Sequence, residues 1–360
     1  MDVINITETA CSYILDLRNA TSQPLWLVFL PMDWIAYYVV WPLVAFGTLS
    51  NISFIWTVIR TQTLHTPTYV YLVSLAFADL SLDCLFAIDY AASPIGNGNY
   101  IFAMIIYLLS TFAFMSEMGF VTLVSLERYL AICYPIKHHV LKGTKRTYRL
   151  IVIVLLISVG YMCVLIPSYV GVNNIDTCVS WPDENRLADY PEHFISVLSR
   201  IDKTYFLFAQ LVRLFIWLSP LTLTCYMYLC ILRTMTIRAE NRQLNVSNGF
   251  EKQLRQVAIM VITNGTIFFL CCSLQVINQM FTVLSLHRFH IFSESSYYFW
   301  LHIVYLSLAV NSSINPLIYF ITNQRYRKAF KSVFCSGFSN TIKNRQTEYN
   351  TRPTEETTTL

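Results

Sequence analysis

Residues 104–126 read MIIYLLSTFAFMSEMGFVTLVSL and lead directly into Glu127-Arg128-Tyr129. Glu117 is the only charged residue in this stretch of 23. A helix of roughly 20 apolar residues can cross a bilayer, where its backbone satisfies its own hydrogen bonds. The stretch therefore predicts a transmembrane helix with an acidic residue near its middle and an arginine at one end.

The rest of the chain repeats this pattern. Its 360 residues are 55% hydrophobic and only 13% charged, whereas about a quarter of the residues in a soluble protein are charged. The apolar runs are long and unbroken, unlike the short alternating segments of a β-barrel. We predict an all-α membrane protein built as a bundle of seven transmembrane helices. The predicted spans are 34–60, 68–92, 100–133, 147–171, 205–233, 255–285 and 298–322.

The basic residues outside the spans are distributed unequally between the two sides. Eighteen Lys and Arg fall on the side of the C-terminus and five on the side of the N-terminus. Because cytoplasmic loops carry the excess of Lys and Arg, we expect a plasma-membrane protein with its N-terminus outside and its C-terminus in the cytoplasm. The predicted parts are an extracellular segment 1–33, the bundle 34–322, an amphipathic cytoplasmic helix 323–338 and a disordered tail 339–360.

Both terminal segments carry candidate modification and binding sites. Asn5 and Asn19 begin glycosylation sequons in the outer segment. The basic residues of 323–338 predict contact with anionic membrane lipid, and Cys335 is either a palmitoylation site or an ordinary thiol. The tail is rich in Thr, so we expect it to be phosphorylated for arrestin binding. Its last residues, 358–360, resemble a ligand for a PDZ-domain protein.

Several polar residues lie inside the predicted spans, where ionisable groups are costly and usually functional. Asp79 and Glu117 lie near the middle of spans two and three, and Asn51, Asn311 and Asn315 lie at matching depths. If the two acids approach each other, one of them keeps a proton or a cation such as sodium lies between them. The alternative is a neutral hydrogen-bonded network that packs the bundle.

Three further patterns lie near the cytoplasmic ends of the spans. Glu127-Arg128-Tyr129 closes span three, where the acid can hold the arginine by local pairing until a partner protein binds. In residues 315–319, Pro316 removes a helix hydrogen bond between Asn315 and Tyr319, and Pro220 with Tyr228 repeats that combination in span five. Ordinary charge pairing and simple helix kinks are the alternatives for each pattern taken alone.

Together these patterns resemble the rhodopsin-like (class A) family of G-protein-coupled receptors over residues 35–335. The resemblance implies a two-state bundle in which an extracellular ligand opens a cytoplasmic cleft for a heterotrimeric G protein. It also implies that the activation residues are Glu127, Arg128, Tyr129, Tyr228, Asn315, Pro316 and Tyr319. The matching segments are 47–51, 75–79, 127–135, Pro220 with Tyr228, Phe268 with Cys271, and 315–319.

The chain departs from the family pattern in spans three, four and six. Ala103 replaces the cysteine that normally bonds the second outer loop, so we expect a Cys11–Cys178 disulfide in its place. Span four lacks its usual tryptophan. In span six, Cys272 and Leu274 stand where the family has Trp and Pro. The usual rotamer switch and kink are therefore in doubt, and Gly265 could supply flexibility instead.

The ligand class follows from the resemblance to neuropeptide receptors, which implies an extracellular peptide. Ser110 stands where amine receptors have Asp, and Ala309 stands where opsins have the retinal-linking Lys. A non-peptide or chemosensory ligand is the alternative, and Asp89 and Arg213 could simply neutralise one another. The candidate pocket residues are Asp89, Ser110, Phe114, Arg213, Gln275, Asn278, Gln279, His302 and Tyr305.

Other classes of protein fit the sequence less well. A membrane transporter would also carry intramembrane acids, but we find no internal repeat. No catalytic motif accompanies Asp79 and Glu117, and the pair His138-His139 has no further metal ligands nearby. We predict neither an enzyme nor a nucleic-acid-binding protein, and no cofactor apart from the candidate sodium ion near Asp79.

Overall fold

The computed structural model describes residues 13–16, 39, 41–92, 100–141, 143–167, 172–180, 193–199, 203–240, 248–286 and 294–334. Within them the chain forms nine helices, a 3-10 turn at Gln62–Leu64 and three strands. The helices are α1 Trp41–Arg60, α2 Pro67–Ala92, α3 Tyr100–Cys133, α4 Pro135–Leu141, α5 Thr144–Leu165, α6 Lys203–Glu240, α7 Asn248–Leu286, α8 Glu294–Thr322 and α9 Gln324–Phe334. The strands are β1 Tyr13–Asp16, β2 Val172–Ser180 and β3 His193–Ser199.

The seven long helices α1, α2, α3, α5, α6, α7 and α8 are the predicted spans. Six of them are long and apolar enough to cross a membrane, and α8 contributes the shorter apolar segment Leu306–Thr322. Large apolar side chains such as Leu156, Phe215 and Leu229 point outward and are two-thirds or more exposed. This exposed apolar surface fits a lipid environment, and the predicted seven-helix membrane bundle is confirmed.

Two helix ends extend past their predicted limits. Helix α6 continues to Glu240 rather than ending at 233, and α7 begins at Asn248 rather than 255. The predicted limits followed the apolar residues alone. A helix that satisfies its own backbone hydrogen bonds can continue into the polar medium, because its charged side chains are then hydrated.

Small residues bring neighbouring helices close together. A Cβ placed on Gly119 would lie 2.5 Å from Val154 of α5, and Ser116 lies 3.1 Å from Ser158 through its hydroxyl. A Cβ placed on Gly47 of α1 would lie 2.5 Å from the hydroxyl of Ser313 of α8. Such close approaches are typical of helix packing in membranes, where burial of apolar surface does not drive association.

A three-stranded sheet with the order β1-β2-β3 was not predicted from the sequence. Strand β1 pairs in parallel with β2, with Ile14 opposite Cys178, and β2 pairs antiparallel with β3. The β2–β3 hairpin connects α5 to α6, so it lies at the end of the bundle opposite Arg128. The sheet escaped prediction because β1 has only four residues and acquires its pairing from a distant segment of the chain.

Helix α9 confirms the predicted amphipathic helix as far as Phe334. Its first turn is capped by Asn323, whose side-chain oxygen accepts hydrogen bonds from the backbone amides of Arg325 and Tyr326 at 3.0 and 3.2 Å. The ring of Tyr326 packs against Phe54 of α1 at a centroid distance of 5.3 Å. Its burial raises the pKa of the Tyr326 hydroxyl. The candidate sites in the terminal segments, Asn5, Asn19, Cys11 and Cys335, lie outside the described residues.

Candidate functional site

Three acidic side chains meet in the middle of the bundle. Asp79 and Asp83 of α2 and Glu117 of α3 are all buried. One oxygen of each carboxyl group accepts a hydrogen bond from a side chain of α8. The three bonds are Asn315 Nδ2 to Asp79 Oδ2 at 2.8 Å, Ser312 Oγ to Asp83 Oδ1 at 2.5 Å, and Asn311 Nδ2 to Glu117 Oε1 at 2.5 Å.

The other oxygen of each acid has a different environment. The carboxyl groups of Asp79 and Glu117 lie within hydrogen-bonding reach of each other, which requires a proton between two carboxyl oxygens. Five buried oxygens in this region accept no hydrogen bond from a described donor, and all belong to acceptor groups that suit a hard cation. They are Asn51 Oδ1, Asp79 Oδ1, Asp83 Oδ2, Glu117 Oε2 and Asn311 Oδ1.

The structure thus brings together the four residues predicted for an ion site. Asn51 lies at its edge and donates hydrogen bonds to the backbone oxygens of Gly47 and Ser312 at 3.0 and 2.9 Å. Sequence reasoning missed Asp83 and Ser312. Asp83 could have been found from its spacing, because a residue four positions after Asp79 lies on the same face of a helix.

The arginine end of α3 differs from the predicted local pairing. Glu127 does not pair with Arg128 in the part of the chain that the structure describes. Its carboxylate instead binds His138 of α4, with Oε1 2.7 Å from Nε2, and Arg146 of α5, with Oε2 3.5 Å from Nη1. The Nε atom of Arg128 is buried and has no hydrogen-bond partner among the described residues. The acid therefore fastens α4 and α5 to α3.

The predicted activation tyrosines occupy three different environments. The hydroxyl of Tyr228 lies between α3 and α7, while Tyr319 of α8 packs on Phe54 at a centroid distance of 5.0 Å with its hydroxyl buried. Tyr129 packs edge-on against Tyr134 at 5.4 Å and belongs to a separate tyrosine group. Pro316 lies within the continuous helix α8, as Pro220 does within α6.

The structure locates only part of the candidate ligand pocket. Ser110 and Phe114 on α3, and Gln275, Asn278 and Gln279 on α7, are half-buried. Arg213 of α6 donates a hydrogen bond to the hydroxyl of Tyr161 of α5. The backbones of Asp89, His302 and Tyr305 are helical, but their side chains lie outside the described part, so pairing of Asp89 with Arg213 is untested.

An aromatic cluster surrounds the position where span six lacks its usual tryptophan. Phe268 and Phe269 of α7 contact each other edge-on at 5.1 Å beside the fully buried Cys272. Phe114 stacks on Phe268, and Trp217 of α6 meets Phe269, both at 6.4 Å. The tryptophan at this level therefore comes from α6. Sequence reasoning missed Trp217 because its position in a continuous apolar run gave no separate signal.

Cys178 in β2 forms a disulfide, as the sequence predicted for that residue. Seven cysteines among the described residues are free. The predicted partner, Cys11, lies outside the described part of the chain, and the pairing stays a prediction. No group of three or more metal-ligating residues occurs among the described residues.

The bundle of seven spans and its polar interior define a membrane receptor. The sequence profile of the 7 transmembrane receptor (rhodopsin family) matches residues 50–319, which is more than half of the chain. The protein belongs to this family, as the resemblance of its motifs indicated.

Its relatives include receptors for extracellular signals. The human thyrotropin-releasing hormone receptor is 24% identical over 357 residues, which cover 89% of this chain and 83% of the relative. The bovine proteinase-activated receptor 2 is 25% identical, with 89% and 75% coverage. The substance-P receptor of Aquarana catesbeiana is 26% identical, with 88% and 73% coverage. These relatives are receptors and not enzymes, as predicted for this chain.

Proposed function

We propose that this receptor binds an extracellular peptide and promotes nucleotide exchange on a heterotrimeric G protein. The observation that carries the proposal is the environment of Arg128. Its acidic neighbour is held by His138 and Arg146, and its own Nε is buried without a partner, so the guanidinium is available when the bundle opens. An acceptor on a partner protein would satisfy that donor.

Nucleotide exchange in a purified system tests this proposal directly. The receptor in lipid nanodiscs, mixed with a G protein and a peptide pool, should accelerate exchange, and Arg128→Ala should abolish the acceleration. Arg149→Ala is a matched control, because Arg149 is an exposed arginine of α5. Substrate flux that is unaffected by Arg128→Ala, together with no exchange, would indicate a transporter and contradict the proposal.

Two observations support a peptide as the ligand. Relatives of similar length are named for thyrotropin-releasing hormone and substance P. The candidate pocket combines the basic Arg213 with the amide side chains of Gln275 and Gln279, which suits the many donors and acceptors of a peptide backbone. A screen that compares peptide fractions with small-molecule fractions distinguishes this ligand from the chemosensory alternative.

The orientation and the further partners belong to the same proposal. The excess of basic residues near Arg128 supports a cytoplasmic location for α4 and α9 and an extracellular location for the sheet. The exposed Lys328 and Lys331 of α9 suit contact with anionic lipid. Arrestin binding to a phosphorylated tail and PDZ-domain binding at 358–360 would involve residues outside the described part.

We further propose that the cluster of Asp79, Asp83 and Glu117 binds a sodium ion. Buried negative charges require a cation or protons, and the free oxygens of the cluster suit either. Agonist affinity should fall roughly five-fold or more when sodium chloride replaces choline chloride at equal ionic strength, because coupled binding sites typically differ by such factors. Glu117→Gln, which keeps an oxygen for Asn311, should reduce that effect. Equal affinity in both salts would contradict a sodium site.

A further inference from the structure

The hydroxyl of Tyr228 joins three helices below the middle of the bundle. It donates a hydrogen bond to the backbone oxygen of Val261 of α7 at 2.9 Å, and it lies 2.9 Å from the hydroxyl of Ser125 of α3. All three residues are buried, with Ser125 completely so. Ser125 is three residues before Arg128, so this junction lies about one helical turn, roughly 5 Å, from the arginine.

Gly265 provides the space for this junction. A Cβ on Gly265 would lie 1.9 Å from the hydroxyl oxygen of Tyr228 and 3.0 Å and 3.2 Å from two atoms of its ring. Gly265 is four residues after Val261 and therefore lies on the same face of α7. The tyrosine hydroxyl thus reaches the helix backbone where a side chain is absent.

Two alternative explanations for the glycine are weaker. Its backbone does not adopt the left-handed conformation that favours glycine. Glycine also weakens a helix interior relative to alanine, so its presence within Asn248–Leu286 calls for a packing reason. Close approach of the Tyr228 hydroxyl supplies that reason, beyond the flexibility that the sequence suggested.

We propose that Gly265 is a positioning residue for the signalling transition. It seats Tyr228 between Ser125 and Val261, and this contact holds α7 against α3 next to Arg128. Separation of α7 from α3 requires Tyr228 to leave its seat, so the contact stabilises the closed bundle. The inference rests on the proposed coupling to a G protein only for its effect on exchange, and not for the geometry.

The test measures the separation of the helices without any G protein. Spin labels on unnatural residues at the exposed positions Tyr148 of α5 and Arg255 of α7 report the distance between the two helices in nanodiscs. Gly265→Ala should displace Tyr228 and lengthen this distance by several ångströms. Gly160→Ala is the matched control, because an added Cβ there meets nothing within 4 Å. An unchanged distance in correctly folded Gly265→Ala protein would overturn the proposal.

A second variant adds no atoms and guards against misfolding. Tyr228→Phe removes the hydroxyl and should lengthen the same distance, and the two substitutions together should give less than the sum of their separate effects. Additive effects would overturn the proposed shared contact. Ligand-free nucleotide exchange by Gly265→Ala should rise roughly five-fold or more. A longer distance without faster exchange would support the role of Gly265 and contradict the proposed G-protein coupling.

Discussion

Glu127 connects three helices through a single carboxylate. None of the residues of α4 is buried, and Ile136 and Val140 are 82% and 79% exposed, so the helix depends on His138 for its attachment. Hydrogen bonds to charged groups contribute about 1.5–3 kcal/mol. We predict that Glu127→Ala accelerates amide hydrogen exchange in α4 roughly ten-fold or more, as measured by mass spectrometry.

Lys145→Ala is the control for this prediction, because Lys145 is an exposed neighbour of Arg146. Unchanged protection of α4 in Glu127→Ala would show that other contacts fix the helix. The sequence placed Glu127 correctly at the end of span three but could not identify its partners. His138 and Arg146 are 11 and 19 positions away, and only the turn through α4 brings them back to the acid.

At the scale of the element, α9 depends on Asn323 at its first turn. The side chain caps the helix through its oxygen and donates from Nδ2 to the hydroxyl of Tyr69 of α2 at 2.9 Å. We predict that Asn323→Ala lowers stability by about 1–2 kcal/mol, because it removes both the cap and the link to α2. Thermal unfolding followed by tryptophan fluorescence measures the loss.

Asn323→Asp separates the two contributions. Its carboxylate can still accept from the amides of Arg325 and Tyr326 but cannot donate to Tyr69, so its loss of stability should be smaller than that of the alanine variant. Equal losses would show that the cap contributes little. Elements of this kind were predictable from the sequence where the signal was local, as for α9 and the apolar spans. The sheet was not predictable, because Tyr13–Asp16 and Val172–Ser180 are far apart in the chain.

At the scale of the whole molecule, the excess of basic residues fixes how the bundle lies in the membrane. We predict that an epitope tag at the N-terminus is stained on intact cells and that a C-terminal tag is stained only after permeabilisation. A tagged protein with one known crossing serves as the control for membrane integrity. Staining of both ends on the same side would contradict seven crossings.

The interior of the bundle was partly predictable. Asp79, Glu117, Asn311 and Asn315 stood out because polar groups in apolar runs are conspicuous, and the structure brings them together. Their exact pairs were not predictable, because the rotation of α8 about its axis decides which donor meets which acid. The role of Gly265 was hidden for a similar reason, since its contact with Tyr228 spans two helices.

The three donors to the buried acids have a mechanical consequence. Asn311, Ser312 and Asn315 occupy little more than one turn of α8, a rise of roughly 6 Å. A helix moves as a rod, so a slide or a rotation large enough to break one of these bonds strains the other two as well. The three contacts form a latch that absorbs small fluctuations and releases as a unit. The membrane core should therefore respond to a stimulus with a threshold, as a set of individually loosened bonds would not.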